Sequence, residues 1–350
     1  MPMDSSQFKK VVPLCPVFGQ CGGCQYQDIA YPDELTLKET QLREVLGGKL
    51  GIAAALLESI VPSPREYHYR HRLDLKLLNS KKHGLLMGFS PESGFQVIPV
   101  QSCAIAREAI SDFLPQLNQD VVPKLTAKHR LANVVVRCGD EGRVRWGGIG
   151  RRSLSLPPQD YLWTEIRGKK IFYSLDTFFQ ANLSILPRFI DRLRALELWG
   201  RDVCFFDLYS GVGLFGIALS DLAGEAVMIE ENLSSVLAAR HNIQYLGLKN
   251  ITLRPGRVES ELPLMLGQMA SFKKVAMIDP PRDGLSAQVA KLLAEATDFT
   301  ALLYLSCHPE SLVRDLGLLL AGHWRIERVM PFDFFPKTRH IETLVLLKPK

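Results

Sequence analysis

The sequence of 350 residues contains no run of 18 apolar residues, so no membrane-spanning helix is expected. Its first residues lack the continuous apolar stretch of a secretory signal, because Pro13 and Pro16 interrupt the segment that follows Lys9 and Lys10. Internal repeats and low-complexity tracts are also absent. The net charge of only +5 permits a polyanionic partner without requiring one. We therefore expect a cytoplasmic protein, and the length favours two domains.

Cysteine is scarce, and its seven copies are an odd number in a chain too long for a disulfide scaffold. Four of them form a candidate ligand set: Cys15, Cys21, Cys24 and Cys103. Three clustered thiols and one remote thiol suit an iron–sulfur cluster, whereas structural zinc more often uses two close pairs. Cys138 and Cys204 lie in apolar, strand-like runs, and we expect them to be inert core residues.

The sequence pattern changes near residue 174. Helical spacing of leucines predicts a helix over 33–47, which is a candidate to pack on the second domain. Strand-like runs alternating with turns, and one helix near 104–117, predict a β-rich domain over 1–174 that binds RNA and the iron–sulfur cluster. Residues 175–350 instead alternate apolar strands with helices, which predicts an α/β domain with a mostly parallel sheet covered on both faces.

A glycine-rich loop over 207–216, Asp-Leu-Tyr-Ser-Gly-Val-Gly-Leu-Phe-Gly, follows one strand and precedes a helix. Gly211 and Gly213 allow the backbone to approach a ligand closely. Glu230 ends the next strand, where a carboxylate accepts hydrogen bonds from ribose hydroxyls. The loop also satisfies the dinucleotide pattern G-x-G-x-x-G, so on its own it leaves NAD, S-adenosylmethionine and an ordinary turn all open.

Two later motifs decide for S-adenosylmethionine over NAD. Asp279-Pro280-Pro281-Arg282 resembles the [D/N/S]-P-P motif of methyltransferases, although an arginine replaces the aromatic residue that stacks on the base in amino-methyltransferases. Cys307 follows the apolar run 301–305 and precedes Pro309, which begins a helix. A helix N-terminus favours the thiolate form of a nearby cysteine. An NAD enzyme has no use for this combination.

Glu342 supplies the remaining group that methylation of a pyrimidine carbon requires. A thiolate that adds to carbon 6 of uracil makes an enolate, and carbon 5 then attacks the sulfonium methyl group. A base must take the carbon 5 proton before the thiol leaves. Glu342 precedes the apolar strand 343–347, and partial desolvation raises a carboxyl pKa toward useful proton transfer. A buried core cysteine and a solvated surface glutamate are the alternatives at these positions.

Cations and aromatic rings mix in residues 65–72, Arg-Glu-Tyr-His-Tyr-Arg-His-Arg. Phosphate contact and base stacking both use this combination, so the stretch predicts an RNA-binding surface in which Arg70 and Arg72 contact the substrate. Five further residues extend it: Lys81, Lys82, His83, Arg151 and Arg152. A solvated strand face is the alternative.

Together these features resemble the RNA uridine C5-methyltransferase family, the bacterial enzymes that make 5-methyluridine. The resemblance covers nearly the whole chain. The shared motifs are C-x5-C-x2-C with Cys103, Tyr69-Arg70-His71-Arg72, Phe178-Phe179-Gln180-Ala181-Asn182, the glycine loop, Asp279-Pro280-Pro281-Arg282, Ser306-Cys307-His308-Pro309 and His340-Ile341-Glu342-Thr343. Many members begin with a small β-barrel domain called TRAM; only fourteen residues precede Cys15, so we expect that domain to be absent.

The resemblance implies a role for each motif. It implies that Cys307 is the nucleophile and that Glu342 is the base. The residues it implies for binding S-adenosylmethionine are Gln180, Tyr209, Gly211, Gly213, Glu230 and Asp279. The residues it implies for a [4Fe–4S] cluster are Cys15, Cys21, Cys24 and Cys103. Family members with the cluster usually modify large-subunit ribosomal RNA, so the expected substrate is a uridine of 23S rRNA.

Three other functions stay open. The nearest is methylation of a tRNA uridine at carbon 5. The second is a catalytically idle RNA-binding or assembly protein that has kept the fold, which the intact Cys307 and Glu342 disfavour. The third is an iron–sulfur oxidoreductase that binds NAD at the glycine loop. For all of these we expect a monomer that contacts neither membrane nor DNA.

Overall fold

The structure is a computed structural model that describes residues 8–80, 84–94, 96–121, 131–148 and 157–350. The basic residues that were predicted to extend the RNA-binding surface lie outside the described residues: Lys81, Lys82, His83, Arg151 and Arg152. No helix in the described part of the chain is both long enough and apolar enough to span a membrane.

The first element, α1, spans Tyr31–Leu50, which confirms the helix predicted over 33–47 and extends it at both ends. Pro32 occupies the first turn, where a missing N–H costs nothing. Gly51 ends the helix in the left-handed conformation at φ +63°, a region that glycine enters without strain. Leu46 is buried, so one face of α1 packs on the rest of the protein.

A five-stranded antiparallel sheet forms the middle of the chain. Its strands are β1 (Arg72–Ser80), β2 (Gly84–Phe89), β3 (Ile98–Pro99), β4 (Leu131–Cys138) and β5 (Val144–Gly147), in the spatial order β3-β2-β1-β4-β5. The helix predicted near 104–117 is α2 (Glu108–Val121), and its Ile110 and Leu114 pack on Leu75 and Val134 of the sheet. This sheet is the β-rich region expected from the sequence.

A seven-stranded sheet forms the second half of the chain. Its strands are β8 (Gly200–Leu208), β9 (Ala223–Glu230), β10 (Ile251–Pro255), β11 (Lys273–Ile278), β12 (Phe299–Ser306), β13 (Trp324–Phe332) and β14 (Glu342–Pro349). Their spatial order is β10-β9-β8-β11-β12-β14-β13. The first five strands in that order are parallel, and β14 runs antiparallel to both of its neighbours. The predicted α/β fold with a mostly parallel sheet is thus confirmed.

Helices cover both faces of this sheet. They are α3 (Leu186–Arg194), α4 (Leu214–Leu219), α5 (Leu233–Tyr245), α6 (Val258–Gln268), α7 (Ala287–Glu295) and α8 (Pro309–Ala321). Adjacent residues of a strand point to opposite faces. Leu303 accordingly packs with Phe189 on one face, and Leu302 packs with Leu316 and with Leu46 of α1 on the other.

Segments before residue 174 also pack on the seven-stranded sheet, which is called the large sheet below. The hairpin β6 (Leu162–Ile166) and β7 (Lys169–Tyr173) belongs to the same apolar cluster as Phe189, and α1 lies against α8. The division of the chain at residue 174 stays a prediction. What the packing adds is that α1 and the hairpin bury their apolar faces with the second half of the chain.

Candidate active site

The direction of β14 brings three chemically active residues to one edge of the large sheet. Asp279 follows the last residue of β11, and Cys307 follows the last residue of β12. Because β14 is antiparallel to β12, its first residues lie beside the end of β12, with Thr343 opposite Ser306. Glu342 therefore begins its strand next to the position at which Cys307 leaves the neighbouring strand.

The thiol of Cys307 lies in a half-buried position close to charged groups of both signs. Burial raises its pKa to about 12, the carboxyl groups of Glu342 and Asp279 add to the rise, and the positive charge of Arg282 opposes it. The sequence led us to expect a thiolate favoured by the N-terminus of α8. That expectation is wrong for the protein alone, because burial and two nearby carboxyl groups outweigh the helix terminus.

Glu342 is buried, with 5% of its surface exposed. Burial raises its pKa well above the ordinary value, Asp279 adds to the rise, and Arg282 opposes it. This confirms the expected direction. Among the described residues Glu342 Oε2 has no hydrogen-bond partner. A buried carboxyl oxygen of this kind is free to take a proton or a hydrogen bond from a bound molecule.

Arg282 and His340 complete the charged surroundings of the thiol. Arg282 Nη2 lies 3.3 Å from His340 Nδ1. Burial lowers the pKa of His340 to about 4, and the positive charges of Arg282 and Arg339 add to the fall. The sequence marked Arg282 only as a departure from an aromatic pattern. Its position as the cation facing Cys307 and Glu342 depends on contacts between distant segments, which no local motif reveals.

The glycine loop forms one wall of a cleft at the same edge. Gln180, Tyr209, Gly211 and Asp279 all line this cleft, as the resemblance implied. Gln180 Nε2 donates a hydrogen bond to Asp279 Oδ2 at 3.1 Å, which joins the motif at 178–182 to the Asp-Pro-Pro loop. Tyr209 adopts φ +63°, a conformation rare for residues other than glycine. Such strain concentrates at ligand sites.

The two remaining residues assigned to the cofactor are Glu230, which binds the backbone of the glycine loop, and Gly213, which is part of that loop. Glu230 Oε2 accepts a hydrogen bond from the Gly211 N–H at 2.8 Å, and Oε1 accepts one from the Asn232 N–H at 2.7 Å. Each carboxylate oxygen retains a further lone pair for a ligand hydroxyl. Gly213 adopts φ +89°, and a Cβ there would lie 2.5 Å from Met228 Cε. Because the left-handed region of the backbone favours glycine, the conformation at 213 explains the choice of this residue.

One polar atom in the cleft lacks a partner among the described residues, as expected of a site for a polar ligand. The side-chain oxygen of Ser210, which lines the cleft, is buried and has no hydrogen-bond partner among the described residues. Asp279 is half-buried beside it, and burial raises its pKa to about 7. Buried polar groups are normally satisfied. These atoms match a ligand that offers both hydrogen-bond donors and a positive charge.

The four predicted metal-binding thiols surround a single cavity of about 160 Å³: Cys15, Cys21, Cys24 and Cys103. Apolar side chains such as Val17 and Phe89 line it as well. Arg70 also lines it, and its positive charge lowers the pKa of Cys103, although burial raises that pKa more. Within the described ranges, no three His, Cys, Asp or Glu side chains are grouped tightly enough to hold a metal ion. The structure thus places the four thiols around one cavity, but not close enough together to share a single metal ion.

Arg72 makes its contacts with the protein itself, which was not expected of a side chain that binds RNA. Its Nη1 donates to the carbonyl oxygens of Leu175 and Thr177 at 3.1 and 3.3 Å, and its guanidinium pairs with Asp74 at 2.8 Å. The side chain therefore holds the backbone just before Gln180. The RNA contact predicted for Arg72 stays a prediction, because these contacts with the protein leave part of its side chain exposed. Arg70 is half-buried and lines the cysteine cavity, and its Nε donates to the carbonyl oxygen of Arg72 at 2.9 Å.

A groove of about 790 Å³ gives access to the thiol. Cys307, Arg282 and His340 line its floor, and Gln41 and Lys49 of α1 line the opposite wall. The groove carries both basic side chains (Lys49, Arg282 and Arg339) and acidic ones (Glu44, Asp283 and Glu310), and the half-buried thiol opens into it.

A comparison with known protein families identifies the chain. The sequence profile described as tRNA (Uracil-5-)-methyltransferase matches residues 156–350, which is more than half of the protein. The protein belongs to this family. Members of the family are RNA (uracil-C5)-methyltransferases that use S-adenosylmethionine, so the enzyme class and the methyl donor predicted from the sequence are confirmed.

Relatives within the family act on different RNAs. The 23S rRNA (uracil(1939)-C(5))-methyltransferase RlmD of Haemophilus parainfluenzae is 27% identical and aligns over 98% of this chain and 83% of its own length. The tRNA (uracil(54)-C(5))-methyltransferase of Schizosaccharomyces pombe is also 27% identical, over 95% of this chain and 65% of its own length. The crystal structure of Pyrococcus abyssi tRNA (uracil-54, C5)-methyltransferase in complex with S-adenosyl-L-homocysteine has the same fold, with a TM-score of 0.70 and 20% identity over 93% of this chain and 85% of that one.

Proposed function

We propose that this protein methylates carbon 5 of a uridine in 23S rRNA through a covalent adduct between Cys307 and carbon 6 of the base. The observation that carries the proposal is the pairing of Ser306 with Thr343, which sets the thiol and the carboxyl group of Glu342 side by side on adjacent strands. The nucleophile and the base act on neighbouring carbons of one ring, so both side chains must reach the same uracil base.

The surroundings of the two residues support separate roles. Cys307 Sγ, after losing its proton, forms a bond to carbon 6, and the electron pair of the double bond moves toward carbon 5 and the carbonyl oxygen. The positive charge of Arg282 lowers the pKa of both residues. It favours the thiolate and stabilises negative charge that develops on the ring. Carbon 5 then takes the methyl group from the positively charged sulfur of the donor, whose bond to that methyl group breaks as the new carbon–carbon bond forms. Glu342 takes the carbon 5 proton, the double bond between carbons 5 and 6 re-forms, and the bond between carbon 6 and Cys307 Sγ breaks.

The cleft beside Asp279 is the proposed site of the methyl donor. Residues with free polar atoms or a carboxylate there would hold S-adenosylmethionine: Gln180, Tyr209, Gly211, Glu230 and Asp279. The bound donor supplies a methyl group on a positively charged sulfur atom. The half-buried carboxyl group of Asp279 suits that charge, and Gln180 holds it in place at 3.1 Å. Gly213 contributes by allowing the loop to pack against Met228.

We further propose a [4Fe–4S] cluster held by Cys15, Cys21, Cys24 and Cys103. Four thiols around one cavity with apolar walls form the donor set that such a cluster uses. Arg70 at the same cavity offsets the negative charge of four thiolates. The cluster would link residues 15–24 to the five-stranded sheet, which is called the small sheet below. Its role there would be structural.

Ribosomal RNA is preferred over tRNA as the substrate because the cysteine set, by its resemblance, belongs to the ribosomal members of the family. A relative named for 23S rRNA aligns over nearly the whole chain, which supports this choice. A relative named for tRNA aligns over a similar share, so tRNA is the second candidate. We place the enzyme in the cytoplasm, where ribosomal RNA is made and modified, and expect it to act as a monomer.

Paired substitutions of the nucleophile and the base test the mechanism. Cys307→Ala removes the first step, so it should abolish methylation and form no covalent complex with RNA. Glu342→Gln leaves the earlier steps intact but removes the base. It should therefore accumulate a methylated protein–RNA adduct that survives a denaturing gel and carries label from the methyl donor.

Two results would contradict this mechanism. Normal turnover by Glu342→Gln would assign the base to another group, of which His340 is the nearest candidate. An adduct that persists in Cys307→Ala would remove the nucleophilic role from Cys307. Cys204→Ala is the matched control, since Cys204 is buried in β8 away from the site edge and should leave both products unchanged.

A further inference from the structure

The segment 333–341, which delivers His340 and Glu342 to the site, is held by an unusual set of buried charges. Lys38 of α1 is fully buried and pairs with Glu34 and with Asp333, each at 2.8 Å. Lys38 Nζ also donates to the carbonyl oxygen of Phe335 at 3.0 Å. Burying charges is costly unless each has partners, so a network of this kind holds its members in one arrangement.

Lys337 is the centre of this network. It is 1% exposed and adopts φ +67°, a conformation that a residue with a Cβ keeps only when its surroundings enforce it. Its ammonium group lies 3.0 Å from Glu66 Oε2 and 3.5 Å from Glu34 Oε2. The rings of Tyr31 and Tyr67 flank the same group, with their centroids 5.1 and 5.3 Å away.

The backbone of Lys337 joins three separate parts of the protein. Its N–H donates to Glu34 Oε1 at 2.7 Å, which connects it to α1. Its carbonyl oxygen accepts hydrogen bonds from the N–H groups of Gln25 and Tyr26, both at 3.0 Å. Gln25 directly follows Cys24, so the cysteine segment and the segment that leads to Glu342 meet at one carbonyl group.

Neighbouring contacts repeat the same connection. The Arg339 N–H donates to Gln25 Oε1 at 3.3 Å, and the Arg339 guanidinium pairs with Glu92 at 2.8 Å. Tyr69 donates its hydroxyl hydrogen to the carbonyl oxygen of Pro336 at 2.9 Å. The segment 333–341 is thus held on one side by α1 and on the other by residues that line or adjoin the cysteine cavity.

We propose that Lys337 is a positioning residue that fixes the segment 333–341 against the cysteine segment and thereby sets the placement of Glu342. The inference rests on the role proposed above for Glu342. The inference adds that proton removal from carbon 5 depends on Lys337. This residue lies five positions before Glu342 in the sequence and contacts neither substrate nor methyl donor. Disturbing Lys337 should slow the last step of the reaction more than the first.

Lys337→Met tests the inference in a single-turnover assay with labelled methyl donor. A misplaced base costs about 10- to 100-fold in rate. The variant should therefore accumulate the labelled adduct on a denaturing gel, as Glu342→Gln does, while its affinity for S-adenosylmethionine changes less than about 2-fold. Lys337→Arg keeps the charge and should recover much of the release of methylated RNA.

Lys274→Met is the matched control. Lys274 is also a buried lysine, but it lies at the amino end of β11, opposite the site edge. If loss of any buried cation slowed the enzyme by loosening the fold, Lys274→Met would build up adduct too. Lys337→Gly guards against misfolding of the methionine variant, because glycine adopts positive φ without strain and should keep the backbone contacts. It should build up adduct as well.

Amide hydrogen exchange supplies a readout that is independent of catalysis. In Lys337→Met the amides of Gln25 and Tyr26 should exchange faster together with those of 338–342, whereas Lys274→Met should leave both sets unchanged. Release of methylated RNA at the wild-type rate by folded Lys337→Met and Lys337→Gly would overturn the inference. Absence of adduct in Glu342→Gln in the same assay would instead count against the proposed role of Glu342.

Discussion

Three carboxyl groups, those of Asp207, Asp279 and Glu342, lie at the carboxyl edge of the large sheet; Asp207 and Glu342 are buried and Asp279 is half-buried. Burial raises the pKa of Asp207 to about 8, and the carboxyl groups of Asp279 and Glu230 add to the rise, whereas the Gly216 N–H opposes it. Carboxyl groups so close together cannot all ionise without a cation between them. Arg282 partly offsets the rise in the pKa of Glu342, and we expect a bound methyl donor with a positively charged sulfur atom to favour ionisation further.

The buried Asp207 predicts that the free protein loses stability as pH rises. In the unfolded chain its carboxyl group ionises near pH 4, but in the folded protein it keeps its proton until about pH 8. The folded state therefore binds more protons between these values, and stability falls across that window. Asp207→Asn preserves an acceptor for the Gly216 N–H, which donates at 2.7 Å, and removes the titration.

Thermal melting between pH 5 and pH 9 measures the effect. Asp207→Asn should melt close to wild type at pH 5 and about 3–6 °C above it at pH 8. Asp202→Asn is the control, because Asp202 lies on the same strand but is exposed and pairs with Lys273. Parallel melting curves for wild type and Asp207→Asn at all pH values would mean that Asp207 does not titrate in this window.

The sequence predicted the reactive residues of the site but not the groups that tune them. Cys307 and Glu342 each stand at the end of an apolar strand, a local signal that periodicity detects. Arg282 and Lys337 act through contacts with segments far away in the chain, and neither has a local pattern. The direction of the shift in the Cys307 pKa was missed for the same reason, since it depends on burial and on Glu342 and Asp279, which are distant in the sequence.

At the scale of elements, the antiparallel insertion of β14 is the feature that completes the site. Each strand of the large sheet was predictable from its apolar run, and so was the overall fold class. The direction of β14 was not, because a strand buried on both faces has the same composition in either direction. Had β14 been parallel to β12, Glu342 would lie at the opposite edge of the sheet from Cys307.

The contacts of Arg72 in β1 predict a defect in cofactor binding. Arg72 and the buried Arg137 of β4 both donate to the carbonyl oxygen of Thr177, which lies three residues before Gln180. Arg72→Ala should release this loop and weaken binding of S-adenosylmethionine about 3- to 10-fold. RNA affinity and its dependence on salt should change little, because the guanidinium is held by the protein.

Titration of the methyl donor and of RNA into the same variants separates the two roles. Arg325→Ala is a suitable control, since Arg325 is half-exposed at the far end of β13. If Arg72→Ala instead reduced RNA affinity and flattened its salt dependence while donor binding stayed normal, the original expectation of an RNA contact would be right.

At the scale of the whole molecule, the cysteine cavity joins residues 15–27 to the five-stranded sheet. Anaerobically purified protein should be brown, with broad visible absorbance. Substitution of Cys15, Cys21, Cys24 or Cys103 by serine should remove the colour and much of the solubility, because metal binding couples to folding. Cys138→Ala, in the core of the small sheet, should keep the colour. Colourless protein carrying one zinc ion per chain would contradict the proposed cluster.

The groove beside Cys307 has a volume of about 790 Å³, which does not distinguish ribosomal from transfer RNA. The choice depends on how the cysteine-bearing part of the chain and α1 fit the folded RNA around the target uridine. We expect purified enzyme to label 23S rRNA from a strain that lacks the gene, with a kcat/KM at least about 10-fold above that for unmodified tRNA. The label should lie at carbon 5 of uridine, and Cys307→Ala should label neither RNA. Preferential labelling of tRNA would establish the second candidate, and folded wild-type protein that labels neither would identify an idle RNA-binding protein.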